Sequence, residues 1–290
     1  MGTGLKLRLS DFTKIFSGSD KMSVPIGLFC QLLITPLVAL ASSHYFLLRS
    51  KNGMDVLNES RRLLHLGLVL VGCSPAGAIS NLMSLLSGAN VALSVLLTSV
   101  STLLSTAMTP FRVKSLIGGS ATDMKINGMA LCIATVKVIL LPVLSGMAIN
   151  AAFPLLTINI LARYAPLISV ALGSIICGGV VASNAPIMAY SAEAASLLLP
   201  MMCAILVFHG ISFLLGYLVP RFFFRCDEKI SRTISFQTAM PNAILAVVLA
   251  QSLSAGQPSS SQMLLTALPG AVSATCSICM AGMISSFWAS

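Results

Sequence analysis

Long apolar runs separated by short polar stretches organise this chain. The runs are continuous rather than alternating, so they read as helices and not as the strands of a membrane barrel. Eight membrane spans are expected, at about 24–47, 63–87, 91–110, 127–150, 165–182, 195–219, 233–253 and 263–288. Each is long enough to cross a hydrocarbon core of about 30 Å. Two of them are interrupted. The second breaks at Ser74-Pro75-Ala76-Gly77 and resumes as Ile79 to Leu86; the seventh breaks at Met240-Pro241-Asn242. Proline removes a backbone donor and frees the carbonyl one turn earlier, and in lipid a freed carbonyl needs a partner. The two breaks read either as ordinary proline kinks or as unwound backbone lining a mid-membrane site, as in inverted-repeat transporters.

The third span, expected to end at Pro110 ahead of a polar loop over 111–125, carries Ser94, Thr98, Ser101, Thr102 and Ser105. That spacing puts the hydroxyls on one helical face. Such a stripe lets membrane helices approach closely. With Ser80 and Asn81 just upstream, it also offers the neutral oxygens that a hard monovalent cation prefers. Asn90 stands where an N-cap is expected.

Composition narrows the class. Hydrophobic residues make up 56% of the chain and charged residues 9%, with a mean hydropathy of +0.94; a soluble domain carries about 25% charged residues. The fold expected is all-α and polytopic in the lipid bilayer. The net charge of +9 is no nucleic-acid signal, because the basic residues cluster in short loops beside the spans, where orientation signals lie. Nine fall in loops on the N-terminal side and seven on the other, which favours a cytoplasmic N-terminal side. The eight carboxylates all lie in loops or at span ends.

Three features carry candidate chemistry beyond the breaks. Lys137 is the one charge deep in a span, where burial in hydrocarbon costs about 2.5–3.5 kcal/mol on insertion scales. It is expected to face the protein interior or a cavity as a counter-charge for an anionic substrate, or else to snorkel toward the headgroups or hydrogen-bond to carbonyls freed near Pro142. His209 reads as a packed, hydrogen-bonded helix histidine. Cys276 and Cys279 match a metal spacing, but with no second pair they read as small apolar residues. The motifs of hydrolases, zinc proteases and phosphate-binding loops are missing, so no enzyme is expected.

Several stretches together resemble the bile acid:sodium symporter family. They are Gly72-Cys73-Ser74-Pro75-Ala76-Gly77-Ala78-Ile79-Ser80-Asn81, then Gly88-Ala89-Asn90-Val91-Ala92-Leu93-Ser94-Val95, then Thr98 to Thr102. Gly27 to Pro36, Leu140 to Gly146, His209 to Tyr217 and Arg232 to Phe236 agree, and the wording lies nearer the plastid-type branch. The resemblance implies ten helices in two inverted repeats, with two discontinuous helices crossing in a core domain beside a panel domain. It implies that the chain starts inside the family's second helix, as a truncated form, so that eight of the ten helices remain. The divisions expected are a cytoplasmic tail and helix remnant at 1–22, first-half core helices at 23–110, remaining panel helices at 111–184 and second-half core helices at 185–290.

The resemblance also implies sodium ligands. Ser80, Asn81, Ser94 and Thr98 match one site; Gln31 matches a second. Both sites share a motif that reads here Gln237-Thr238-Ala239-Met240-Pro241-Asn242. In it the family's glutamate is replaced by Gln237 and its glutamine by Pro241. Losing that carboxylate removes the charge that offsets two cations in a low dielectric; Gln237 is expected to offer a neutral oxygen in its place, and a single retained site is expected. Substrate contacts are expected from Asn242, Pro241, Thr102, Lys137 and Ser277. The function implied is secondary transport of an organic anion, bile-acid-like or a small carboxylate, with sodium as coupling ion and no other cofactor. The alternative is an inactive or uncoupled relative that only packs or assembles in the membrane. Plastid envelope and plasma membrane are both open as locations, and the oligomeric state is not legible.

Overall fold

The computed structural model describes residues 22–48, 55–118, 128–153, 162–190, 195–254 and 260–289. The expected tail and helix remnant, apart from Met22, lies outside the described residues. The helices are α1 (Ser23–Leu48), α2 (Asp55–Cys73), α3 (Ile79–Leu86) and α4 (Val91–Gly118). α5 combines Gly128–Thr135, a π-helical turn Val136–Leu140 and Leu141–Ala152. Then follow α6 (Ala162–Tyr190), α7 (Leu198–Phe223), α8 (Glu228–Ala239), α9 (Ala243–Ser254) and α10 (Ser260–Ala289). Among the described residues, six unbroken helices are long and apolar enough to cross a membrane. The two interrupted spans appear as the pairs α2/α3 and α8/α9.

α2 is the hub. It packs against α1, α9 and α10, and Leu64, Leu68, Val69, Leu70 and Val71 are fully buried. Burial on all sides explains why this stretch is apolar all round instead of striped. Gly67 permits the approach to α10: a Cβ there would lie 2.2 Å from the Thr266 carbonyl oxygen. α5 and α6 lie at the periphery, with Ile133, Leu141 and Leu144, and Ile168, Leu172 and Ile175, exposed on their outer faces. Such apolar faces suit lipid.

Two prolines sit at the same offset after a π-helical turn: Pro36 after Cys30–Ile34, and Pro142 after Val136–Leu140. The proline ring clashes with the carbonyl four residues back, and a wider turn relieves that crowding.

α4 corrects one expectation. The helix does not stop at Pro110 but runs through it to Gly118. Val113 and Ile117, one turn apart, are fully buried in the core. Their packing holds the helix together past the missing proline donor, and the stretch expected to be a polar loop is helical as far as Gly118.

Candidate functional site

The two breaks meet each other. Ala76 and Pro241 form an antiparallel bridge. The Gly77 N–H donates to the Met240 carbonyl at 2.9 Å, and the Asn242 N–H donates to the Pro75 carbonyl at 2.7 Å. Each unwound segment thus satisfies the other, as buried backbone requires. Gly77 eases this approach: a Cβ would lie 3.2 Å from the Met240 carbonyl oxygen, and that backbone would have to give by a few tenths of an ångström.

Side chains from neighbouring helices cap what remains. At the first break the Cys73 carbonyl accepts from Thr109 Oγ1 at 2.8 Å and from Arg112 Nη2 at 3.0 Å. Arg112 Nη1 also reaches the Leu32 carbonyl at 3.2 Å, the group that Pro36 leaves without its helical donor. At the second break the Thr238 carbonyl accepts from Thr35 Oγ1 at 2.9 Å. His209 Nδ1 lies 2.7 Å from the Ala239 carbonyl, and its Nε2 lies 2.7 Å from Ser273 Oγ. A carbonyl only accepts, so Nδ1 carries the proton and Nε2 accepts from Ser273. The expected packed histidine therefore holds the end of α8. Two asparagines start the helices that follow: Asn90 Oδ1 accepts from Leu93 N at 3.0 Å, and Asn242 Oδ1 from Leu245 N at 3.1 Å.

Beside the crossing lies a buried cluster of oxygens. Asn81 Oδ1 accepts from Ser94 Oγ at 2.7 Å and from Thr98 Oγ1 at 3.0 Å. Ser84 Oγ donates to Ser94 Oγ at 3.1 Å. Gln237, from α8, enters with its amide nitrogen and not with the oxygen expected of it: Nε2 lies 2.6 Å from Ser94 Oγ, 2.9 Å from the Ser94 carbonyl, 3.1 Å from Thr98 Oγ1 and 3.3 Å from Asn81 Oδ1. Ser94, Thr98 and Gln237 are buried and Asn81 is half-buried. Four of the expected ion-site residues, Asn81, Ser94, Thr98 and Gln237, therefore converge on one point.

The others do not join them. Ser80 Oγ donates to the Gly77 carbonyl at 2.6 Å. Gln31 is buried with neither polar atom of its amide partnered; its π-helical turn packs against α8. Thr102 and Ser277 bond back to their own helices, at the Thr98 carbonyl (2.6 Å) and the Ala274 carbonyl (3.0 Å). Lys137 is exposed on the outer face of α5, which corrects the inward counter-charge and agrees with the snorkelling alternative. The stripe that α5 buries is Ala134, Thr135, Ile139 and Val143, and position 137 falls off that stripe, where a long lysine can run its stem toward the headgroups.

Arg112, Thr109 and Ser84 were not among the residues expected at the site. Arg112 and Thr109 continue the hydroxyl stripe of α4 at one-turn steps beyond Ser105. Ending the helix at Pro110 removes Arg112 from view as a loop charge. Ser84 lies one turn beyond Asn81 on α3, and that spacing was the available signal.

A bundle whose two broken helices cross and exchange backbone hydrogen bonds defines an integral, multi-pass membrane protein of the discontinuous-helix kind. The chain belongs to the Sodium Bile acid symporter family, whose family model matches residues 1–191. It is 36% identical over 222 residues to "Probable sodium/metabolite cotransporter BASS1, chloroplastic" of Arabidopsis thaliana, covering 77% of this chain and 51% of that protein. It is 30% identical over 288 residues to "Probable sodium/metabolite cotransporter BASS2, chloroplastic" of Oryza sativa subsp. japonica, covering 99% of this chain and 61% of that protein. It is also 28% identical over 249 residues to "Uncharacterized sodium-dependent transporter YocS" of Bacillus subtilis, covering 86% and 70%. The chain spans between half and two thirds of the length of these chloroplastic relatives.

Proposed function

We propose that this chain forms the core of a secondary carrier that moves a small organic anion across a membrane by alternating access, linked to sodium through one site. The observation that carries the reading is the crossing itself, with reciprocal backbone bonds between the breaks beside a buried cluster of four neutral oxygens. The N-terminal ends of α3 and α9 both begin at this crossing. Their partial positive charge favours an anionic group there. Asn81, Ser94 and Thr98 supply the oxygens for the ion, with Gln237 at the same point; Asn242 and the backbone at Pro241 are the residues for the substrate. The relatives' names, which pair sodium with a metabolite, support the same reading.

A second reading, a relative that packs in the membrane without transporting, is favoured by one observation. Gln237 brings an amide and no carboxylate to the ion cluster. Uptake into proteoliposomes separates the two. Purified protein is reconstituted and offered labelled taurocholate and labelled pyruvate, with an inward sodium or choline gradient. Uptake of either anion above empty liposomes, faster with sodium, is the expected result. No uptake of either, in both gradients, would favour the packing reading.

A further inference from the structure

Gln237 Nε2 sits where its four oxygen neighbours converge, at 2.6–3.3 Å. Two of those neighbours, the Ser94 carbonyl and Asn81 Oδ1, are carbonyl oxygens that only accept. Turned the other way, the amide would face both of them with its own oxygen, and no proton would lie between. The orientation is therefore set by the cluster. The proton accounting closes: the Ser94 hydroxyl donates to Asn81 and accepts from Ser84, while the amide's two hydrogens serve the Ser94 carbonyl and hydroxyl. Thr98 Oγ1 also donates to Gln237 Oε1 at 3.2 Å; a carboxylate on the same stem could keep that bond, but it could face the Ser94 carbonyl and Asn81 Oδ1 only with a cation between. The amide supplies the positive end itself.

We infer that the Gln237 amide is a resident stand-in for the cation, so that sodium and the amide NH2 compete for the same four oxygens. The inference deepens the proposed function and rests on its reading of this cluster as the sodium site. Gln237 then acts as a specificity-determining residue that lowers sodium affinity, not as a ligand that raises it. The amide also ties α8 to α4 across the crossing, so the ion-free carrier holds its two halves together. Sodium must turn the amide out before it binds.

The test is the sodium dependence of thermal stability of the purified protein, titrated with sodium chloride against choline chloride at constant ionic strength. Wild type is compared with Gln237→Ala, which removes the competitor, and Gln237→Glu, which replaces the donor by a charge. The half-saturating sodium concentration is expected to fall from wild type to Ala and again to Glu. The Glu variant should lie about tenfold or more below wild type, the worth of one charged hydrogen-bond partner. Gln237→Ser carries the same expectation as Ala and serves if that variant does not fold. Wild type binding sodium as tightly as Ala or Ser, or more tightly, would overturn the inference and leave the sodium reading standing. An absence of any sodium-specific shift even in Gln237→Glu would sink the sodium reading, and the inference with it.

Discussion

The first break, Ser74 to Ala78, and the second, Met240 to Asn242, solve one problem with different chemistry. Each leaves carbonyls that have lost their helical donors, and each uses the other's backbone for part of the repair. The rest comes from neighbouring helices. At the first break a guanidinium and a hydroxyl cap Cys73; at the second a neutral imidazole and a hydroxyl cap Ala239 and Thr238. The contrast extends to the buried oxygen cluster. The first half contributes acceptors, Asn81, Ser94 and Thr98, and the second contributes a donor, Gln237. The difference shows that the crossing is separable from the cluster: it closes on backbone bonds, whatever the side chain at 237 brings.

The largest effect is expected at Arg112, which serves two carbonyls at once. Arg112→Met leaves the Leu32 and Cys73 carbonyls without this donor and should cost about 3 kcal/mol or more. The measurement is a large fall in the melting temperature of the detergent-solubilised protein, with Arg112→Lys falling less. An Arg112→Met protein as stable as wild type would mean that Thr109 alone satisfies the first break. At the second break, His209→Leu leaves the Ala239 carbonyl and Ser273 without their partner at about 2 kcal/mol. The comparison fails if this variant loses more stability than Arg112→Met. Asn242→Ala removes the cap of α9, for which about 1 kcal/mol is expected. Asn90→Ala, at the start of α4, should match it, and a much larger loss at Asn242 would point to a role beyond capping. The smallest effect is expected at Lys137, which belongs to neither break. Lys137→Gln should change stability by within about 0.5 kcal/mol and leave anion uptake unaltered; a sharp drop in uptake would restore the counter-charge role that its outward position argues against.

Much of this architecture was legible from particular residues. The apolar runs located the helices, and Pro75 and Pro241 located the breaks, because backbone chemistry in lipid ties a proline to a freed carbonyl. Asn90 was readable as a cap from its place before α4. Arg112 was not, because Pro110 reads locally as a helix end and only the burial of Val113 and Ile117 overrides it. For Lys137 the sequence leaves an inward and a snorkelling position both open, because a span's middle says nothing about which side of the helix meets the protein.

The sequence by itself determined the helical membrane class, the two interruptions and the oxygen-bearing residues on α3 and α4, since these follow from local composition and helical period. Only the tertiary structure decided that the interruptions bond to each other, that Arg112 and His209 close their ends, and that the Gln237 amide points its nitrogen into the cluster. Those outcomes depend on contacts between residues distant in the chain, from 30 positions for His209 with Ala239 to 156 for Asn81 with Gln237, and on which acceptors have no proton to give.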